Sequence, residues 1–127
     1  MSLRSELENA LKEFMNATGG DLVGCALARS DGLLLASTPL GGVDERKMAA
    51  ISVTAAGVAK RLCEELNRGT PLRMMVEGRG GNILIANVGE DLFLIALTSE
   101  KPNLGLVFLE MERITETLAT ISKRSGK

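Results

Sequence analysis

Apolar residues recur every three or four positions at the start of the chain: Leu3, Leu7, Ala10, Leu11, Phe14 and Met15. This spacing predicts an amphipathic helix over residues 3–17. Ser2 or Ser5 can cap it, and Thr18-Gly19-Gly20 stops it. Residues 21–29 then alternate as a strand does. Val23, Cys25 and Leu27 fall on one face; Leu22, Gly24, Ala26 and Ala28, mostly small, fall on the other. A small face of this kind suits a helix packed closely over the sheet. Asp31-Gly32 is a hairpin signal and leads into a strand over residues 33–37.

The segment from Thr38 to Val43, with Pro39, Gly41 and Gly42, reads as a loop. Asp44 can cap a long helix over residues 45–67 that ends at Gly69. Strands over residues 72–77, 82–88 and 92–98 follow, joined by short glycine-containing turns, which predicts an antiparallel meander. After Lys101-Pro102-Asn103 a last helix covers residues 104–122, with Leu104, Val107, Met111, Ile114, Leu118 and Ile121 along one side. The ends, residues 1–2 and the polar 123–127, are expected to fray. The predicted order is α-β-β-α-β-β-β-α. It lies in one domain over residues 1–127, with helices covering the faces of a five-stranded antiparallel sheet.

The middle helix is hard to explain as plain core. It carries no charge from Met48 to Ala59, whereas a surface helix should show charge on its outer side. Two stripes run along it. Met48, Ile51, Ala55, Val58 and Leu62, continued by Leu66, form the larger and are the better candidates to pack on the sheet, although periodicity equally permits the reverse orientation. Ala49, Val53, Ala56 and Gly57, with Ser52 beside them and Lys60 beyond, form a small-residue stripe expected to meet a second protein. Gly57 inside a helix costs about 0.8–1 kcal/mol relative to Ala, which close approach of another backbone would explain. The strand over residues 72–77 is expected at the sheet edge, with Arg73, Met75 and Glu77 on one face. An open edge there offers backbone groups to a second copy, and pairing about a two-fold axis would bring two middle helices together.

Composition narrows the chemistry. The 127 residues and 13.5 kDa suffice for a core without disulfides or a metal. With three Phe and neither Tyr nor Trp, stacking platforms for bases are nearly absent. A net charge of −1 gives no electrostatic footprint for nucleic acid. The absence of histidine removes the commonest general base and every histidine-based zinc site. Cys25 and Cys63 are too few for a zinc cage and are expected to be two buried, reduced thiols, which fits a cytoplasmic location. No apolar run is long enough to insert in a membrane. Gly78-Arg79-Gly80-Gly81 lies between two predicted strands and lacks the Lys-Ser/Thr of a phosphate loop, so it reads as a hairpin turn. No catalytic, cofactor-binding or metal-ligating set is expected, and the protein is read as a non-enzyme.

Several segments in order carry a resemblance. They are Arg29-Ser30-Asp31-Gly32-Leu33-Leu34-Leu35-Ala36, the Asp44 start and alanine-rich course of the middle helix, and its end at Glu65-Leu66-Asn67-Arg68-Gly69. The meander and the exit Asn103-Leu104-Gly105-Leu106 complete the set. Together they resemble the roadblock/dynein light chain family, which includes the bacterial MglB proteins. The resemblance implies a profilin-like three-layer α/β/α sandwich, with the long helix on one face and the terminal helices on the other. It also implies a homodimer or heterodimer formed through the middle helix and edge strand, and binding to a Ras-like small GTPase. Whether GTP hydrolysis changes on binding does not follow from it. The alternative is a light-chain-like structural subunit of a larger assembly with no GTPase partner. On either reading the contact residues are Ala49, Ser52, Val53, Ala56, Gly57 and Lys60 of the helix, with Arg73, Met75 and Glu77 of the strand.

Overall fold

The computed structural model describes residues 2–125. Eight elements follow the expected order: α1 (Leu3–Ala17), β1 (Leu22–Arg29), β2 (Leu34–Ser37), α2 (Glu45–Glu65), β3 (Arg73–Gly78), β4 (Gly81–Val88), β5 (Leu92–Thr98) and α3 (Leu104–Ser125). The five strands form one sheet in the order β2-β1-β5-β4-β3, antiparallel throughout. β1 and β5 are therefore neighbours at the centre, and β3 lies at an edge. Helices α1 and α3 cover one face and α2 the other, a profilin-like three-layer α/β/α arrangement.

Local chemistry sets the helix ends. The Ser2 hydroxyl accepts from the Ser5 N–H at 3.1 Å and caps α1. Asp44 does the same for α2, accepting from the Lys47 N–H at 3.1 Å. α2 stops two residues before the expected Asn67, because Asn67 adopts φ 58°. With Asn67 turned left-handed, the Arg68 N–H reaches the Cys63 carbonyl at 2.7 Å and the Asn67 N–H reaches Glu64 at 3.2 Å. This is a Schellman end, in which an asparagine takes the role expected of Gly69. At the other end of the chain α3 continues past Ser122 through Lys123 and Arg124, and Arg124 donates to Glu6 at 2.7 Å. The fraying expected at Met1, Gly126 and Lys127 lies outside the described residues.

One strand departs from simple alternation. Pairing of β1 with β5 slips between Leu22 and Gly24, a bulge that turns Val23 out to solvent. Leu22, not Val23, therefore joins Cys25 and Leu27 in the core beneath α1 and α3. Next to the bulge, Gly24 leaves room for the returning chain. A Cβ there would strike the Leu40 side chain and lie 2.9 Å from the Pro39 carbonyl oxygen. Thr38 fastens that return: its hydroxyl accepts from the Cys25 N–H at 2.9 Å, and its own N–H donates to the Cys25 carbonyl at 2.9 Å.

The larger core lies between the sheet and the α1/α3 layer. Leu7, Leu11, Phe14, Val107, Met111 and Leu118 pack there on Leu27, Leu84, Val88 and Leu94. The smaller core, under α2, consists of Ala49 and Ala56 on Ala28, Ile85 and Ile95.

Candidate partner interface

α2 lies mainly over β1, β2 and β5 and reaches Ile85 of β4 and Met74 of β3 only at its margin, leaving Val76 and Ile83 uncovered on that side. The face it turns to the sheet is the small one. Ala49, Ser52 and Ala56 are buried, and Val53 is half-buried against the same cluster. The expected orientation of the two stripes is thus corrected. Ala49, Ser52, Val53 and Ala56 are occupied within the chain, because short side chains let the helix backbone settle close to the sheet. The larger stripe points outward instead: Ile51 is 60% exposed, Val58 65%, Leu62 58% and Leu66 59%. Its members Met48 and Ala55 lie at the seam, half-buried against the α2-side core.

Gly57 and Lys60 are exposed, as a contact role requires. They line a groove between α2 and the β4–β5 turn, with Val53 and Phe93 on its walls and Glu90 and Asp91 at its rim. A Cβ added to Gly57 would touch nothing within 4 Å, so packing inside the chain does not require a glycine there.

The sheet beyond α2 is apolar as well. Met74 and Ile85 face each other in register and belong to the α2-side core. Two residues along, Val76 and Ile83 pair on the same face and are exposed. Leu72, just before the strand, is 83% exposed. Sequence patterning had assigned none of Ile51, Val58, Leu62, Leu66, Leu72, Val76 and Ile83 to a contact. Arg73, Met75 and Glu77 are exposed on β3, on the opposite face, where the Arg73 guanidinium sits 4.3 Å above the Phe108 ring of α3.

The thiols are separated by this geometry. Cys25 is buried, and burial pushes its pKa up to about 12 although the Thr38 contact opposes the shift. Cys63, expected to be buried too, is only half-buried on α2. At the β1–β2 turn, Arg29 donates to Asp31 at 2.7 Å and holds its carboxyl below the usual range, helped by the Leu33 N–H. No group of three or more Cys, Asp and Glu side chains with metal-binding geometry occurs among the described residues. No helix among them is long and apolar enough to cross a membrane.

The profile of the Roadblock/LC7 domain matches residues 6–98, from α1 through β5. The chain belongs to the Roadblock/LC7 domain family. α3 and the Asn103–Leu106 exit lie beyond the matched stretch. An uncharacterized protein of Methanocaldococcus jannaschii is 36% identical over 104 residues, covering 82% of this chain and 90% of that protein. A second from the same organism is 33% identical over 116 residues, covering 91% and 96%. Among solved structures, MglB of Myxococcus xanthus superposes on this roadblock domain with a TM-score of 0.88 at 16% identity, over 97% of this chain and 92% of that one. Profilin IA of Acanthamoeba castellanii gives 0.60 at 14% identity, over 94% and 98%. At identities this low, the superpositions show a shared fold and nothing beyond it.

Proposed function

We propose that this roadblock domain is a non-enzymatic, cytoplasmic homodimer that binds a Ras-like small GTPase. The observation that carries the self-association is the uncovered apolar face: Ile51, Val58, Leu62 and Leu66 on α2, with Val76 and Ile83 at the open side of the sheet. Monomeric proteins rarely leave so many large aliphatic side chains together in water.

Magnitudes favour using helix and edge together. Burying the exposed part of each α2 aliphatic contributes about 1–2 kcal/mol, hence roughly 8–16 kcal/mol for two faces, against an association cost of about 4–15 kcal/mol. The helices alone would be marginal. Pairing at β3 adds backbone hydrogen bonds and covers an edge that is otherwise prone to aggregation. Val58 and Leu62 thus replace Ala49, Ser52, Val53 and Ala56 as the centre of the proposed contact, with Arg73, Met75 and Glu77 retained on the strand.

The GTPase partner is supported by family membership and by the likeness to MglB. Light scattering at micromolar concentration should give twice the chain mass; a monomer would remove the dimer from the reading. Incubation with Ras-like GTPases of the same organism, loaded with GDP or a GTP analogue, should yield a complex with at least one of them. If the dimer forms but none binds, the structural-subunit role takes the place of the GTPase role.

A further inference from the structure

The groove between α2 and the β4–β5 turn combines an apolar lining with charges that the chain does not pair. It encloses about 560 Å³, within the size range of ligand sites, and Val53, Ala56, Pro71 and Phe93 supply its apolar surface. Both ends are pinned. The Ser30 N–H donates to the Asp91 carbonyl at 2.7 Å, tying the β1–β2 turn to the β4–β5 turn. The Asn87 amide donates to the Pro71 carbonyl at 2.9 Å and fixes the chain entering β3. A groove already held in shape costs little further ordering when a partner enters it. Gly57 keeps it open along α2. Glycine weakens a helix, and nothing within 4 Å of an added Cβ calls for one. Any longer side chain there would take up space in the groove.

The two sides differ in charge. Glu90 and Asp91 stand together on the turn, and Lys60 stands on α2. Among the described residues none of the three has an ion-pair partner. Arg29, next to Ser30 in the chain, is already held by Asp31 at 2.7 Å. Two carboxylates beside an apolar floor complement a cation carried on an apolar stem. The stem of an arginine or lysine can lie along Val53 and Phe93 while its head reaches the carboxylates. Lys60, with three donors and no acceptor, complements main-chain carbonyls of the segment that carries the cation. An acidic segment would meet Glu90 and Asp91 with like charge.

We propose that this groove is a docking site for an extended segment of a partner protein in which an arginine or lysine is flanked by aliphatic residues. The cation binds Glu90 and Asp91, and the segment's carbonyls accept from Lys60. The site depends neither on the two-fold contact nor on the GTPase partner proposed above.

Two capped tripeptides test it: acetyl-Val-Arg-Val-amide and, as its control, acetyl-Val-Glu-Val-amide. Each is titrated into the isotope-labelled full chain and followed by amide NMR. The arginine peptide should shift the amides of Gly57, Lys60, Glu90, Asp91 and Phe93 saturably. It should bind at least about fivefold more tightly than the glutamate peptide. E90K/D91K, which breaks no ion pair of the fold, should weaken the arginine peptide by about the same factor. G57L should remove its shifts, and unchanged amides elsewhere show that both variants fold. An absent response, equal binding of the two peptides, undiminished binding by either variant or shifts on another face would overturn the site. So would groove amides that move with protein concentration alone, because a second copy would then be the occupant.

Discussion

On one side of the sheet, α1 and α3 lay Leu7, Leu11, Phe14, Met111 and Leu118 over four strands and bury them. On the other, α2 settles on Ala49, Ser52 and Ala56, leaving Val76 of β3 and Ile83 of β4 uncovered while its large aliphatics face water. The first face is finished within the chain. The second is built to be closed from outside, since small residues hold the helix down while Ile51, Val58, Leu62 and Leu66 stay available. The same apolar content therefore stabilises the fold on one face and association on the other.

If that contrast holds, truncating the closed face should damage folding most. Phe14, 1% exposed, should lose about 3–5 kcal/mol of unfolding free energy on replacement by Ala. Denaturant titration reads this, and the protein that remains folded should dimerise as before. A loss below about 1 kcal/mol would mean that the α1/α3 layer is not the principal core.

A sharper comparison lies two residues apart on one helix. Ala56→Glu forces a carboxylate into the seam between α2 and the sheet and should cost about 3 kcal/mol of stability through overpacking and desolvation. Val58→Glu should leave the folding free energy within about 0.5 kcal/mol, as surface substitutions do. It should nevertheless dissociate the proposed dimer by tenfold or more. Were Val58→Glu to unfold the protein and Ala56→Glu only to dissociate it, the two stripes would face as the sequence alone indicated.

A smaller effect belongs to the closed face. The Cys25 thiol ordinarily ionises near 9.0 and is pushed to about 12 by burial. Below pH 9 folded and unfolded chains hold the same proton. Between 9 and about 12 the unfolded chain releases it while the folded chain keeps it, so stability falls as pH rises, by at most about 1.4 kcal/mol per unit. Cys25→Ala should flatten that decline between pH 9 and 11. Equal slopes for the two proteins would mean that the thiol reaches water.

Most of the architecture was legible because it rests on periodicity and turn chemistry. The meander, the edge position of β3 and the α1 cap all follow from residues close in sequence. The two errors of placement have physical causes. Alternation cannot register a bulge, so it places Val23 rather than Leu22 on the face of Cys25 and Leu27. For α2, periodicity located both stripes without saying which one the sheet would take. The signal was present in β1, where the small Ala28 allows a close approach that Ala49 and Ala56 exploit. Size, rather than hydrophobicity, decided the orientation. The exposure of Val76 and Ile83 depends on how far α2 reaches across the sheet, which no local pattern encodes.

Gly57 gives the smallest and most discriminating prediction. Close packing against another backbone would account for it only if its own stripe were the contact surface. In the folded chain it instead lines the groove beside Lys60 and Phe93, and nothing lies within 4 Å of an added Cβ. Gly57→Ala should therefore raise stability by about 0.5–1 kcal/mol, by removing backbone entropy from the unfolded chain at no steric cost. If the contact is centred on Val58, Leu62 and β3, dimerisation should be unchanged. A methyl group that stabilises the fold yet weakens association with a second copy or a GTPase would show that the groove is occupied in the complex. The open face would then extend along the side of α2 to the β4–β5 turn.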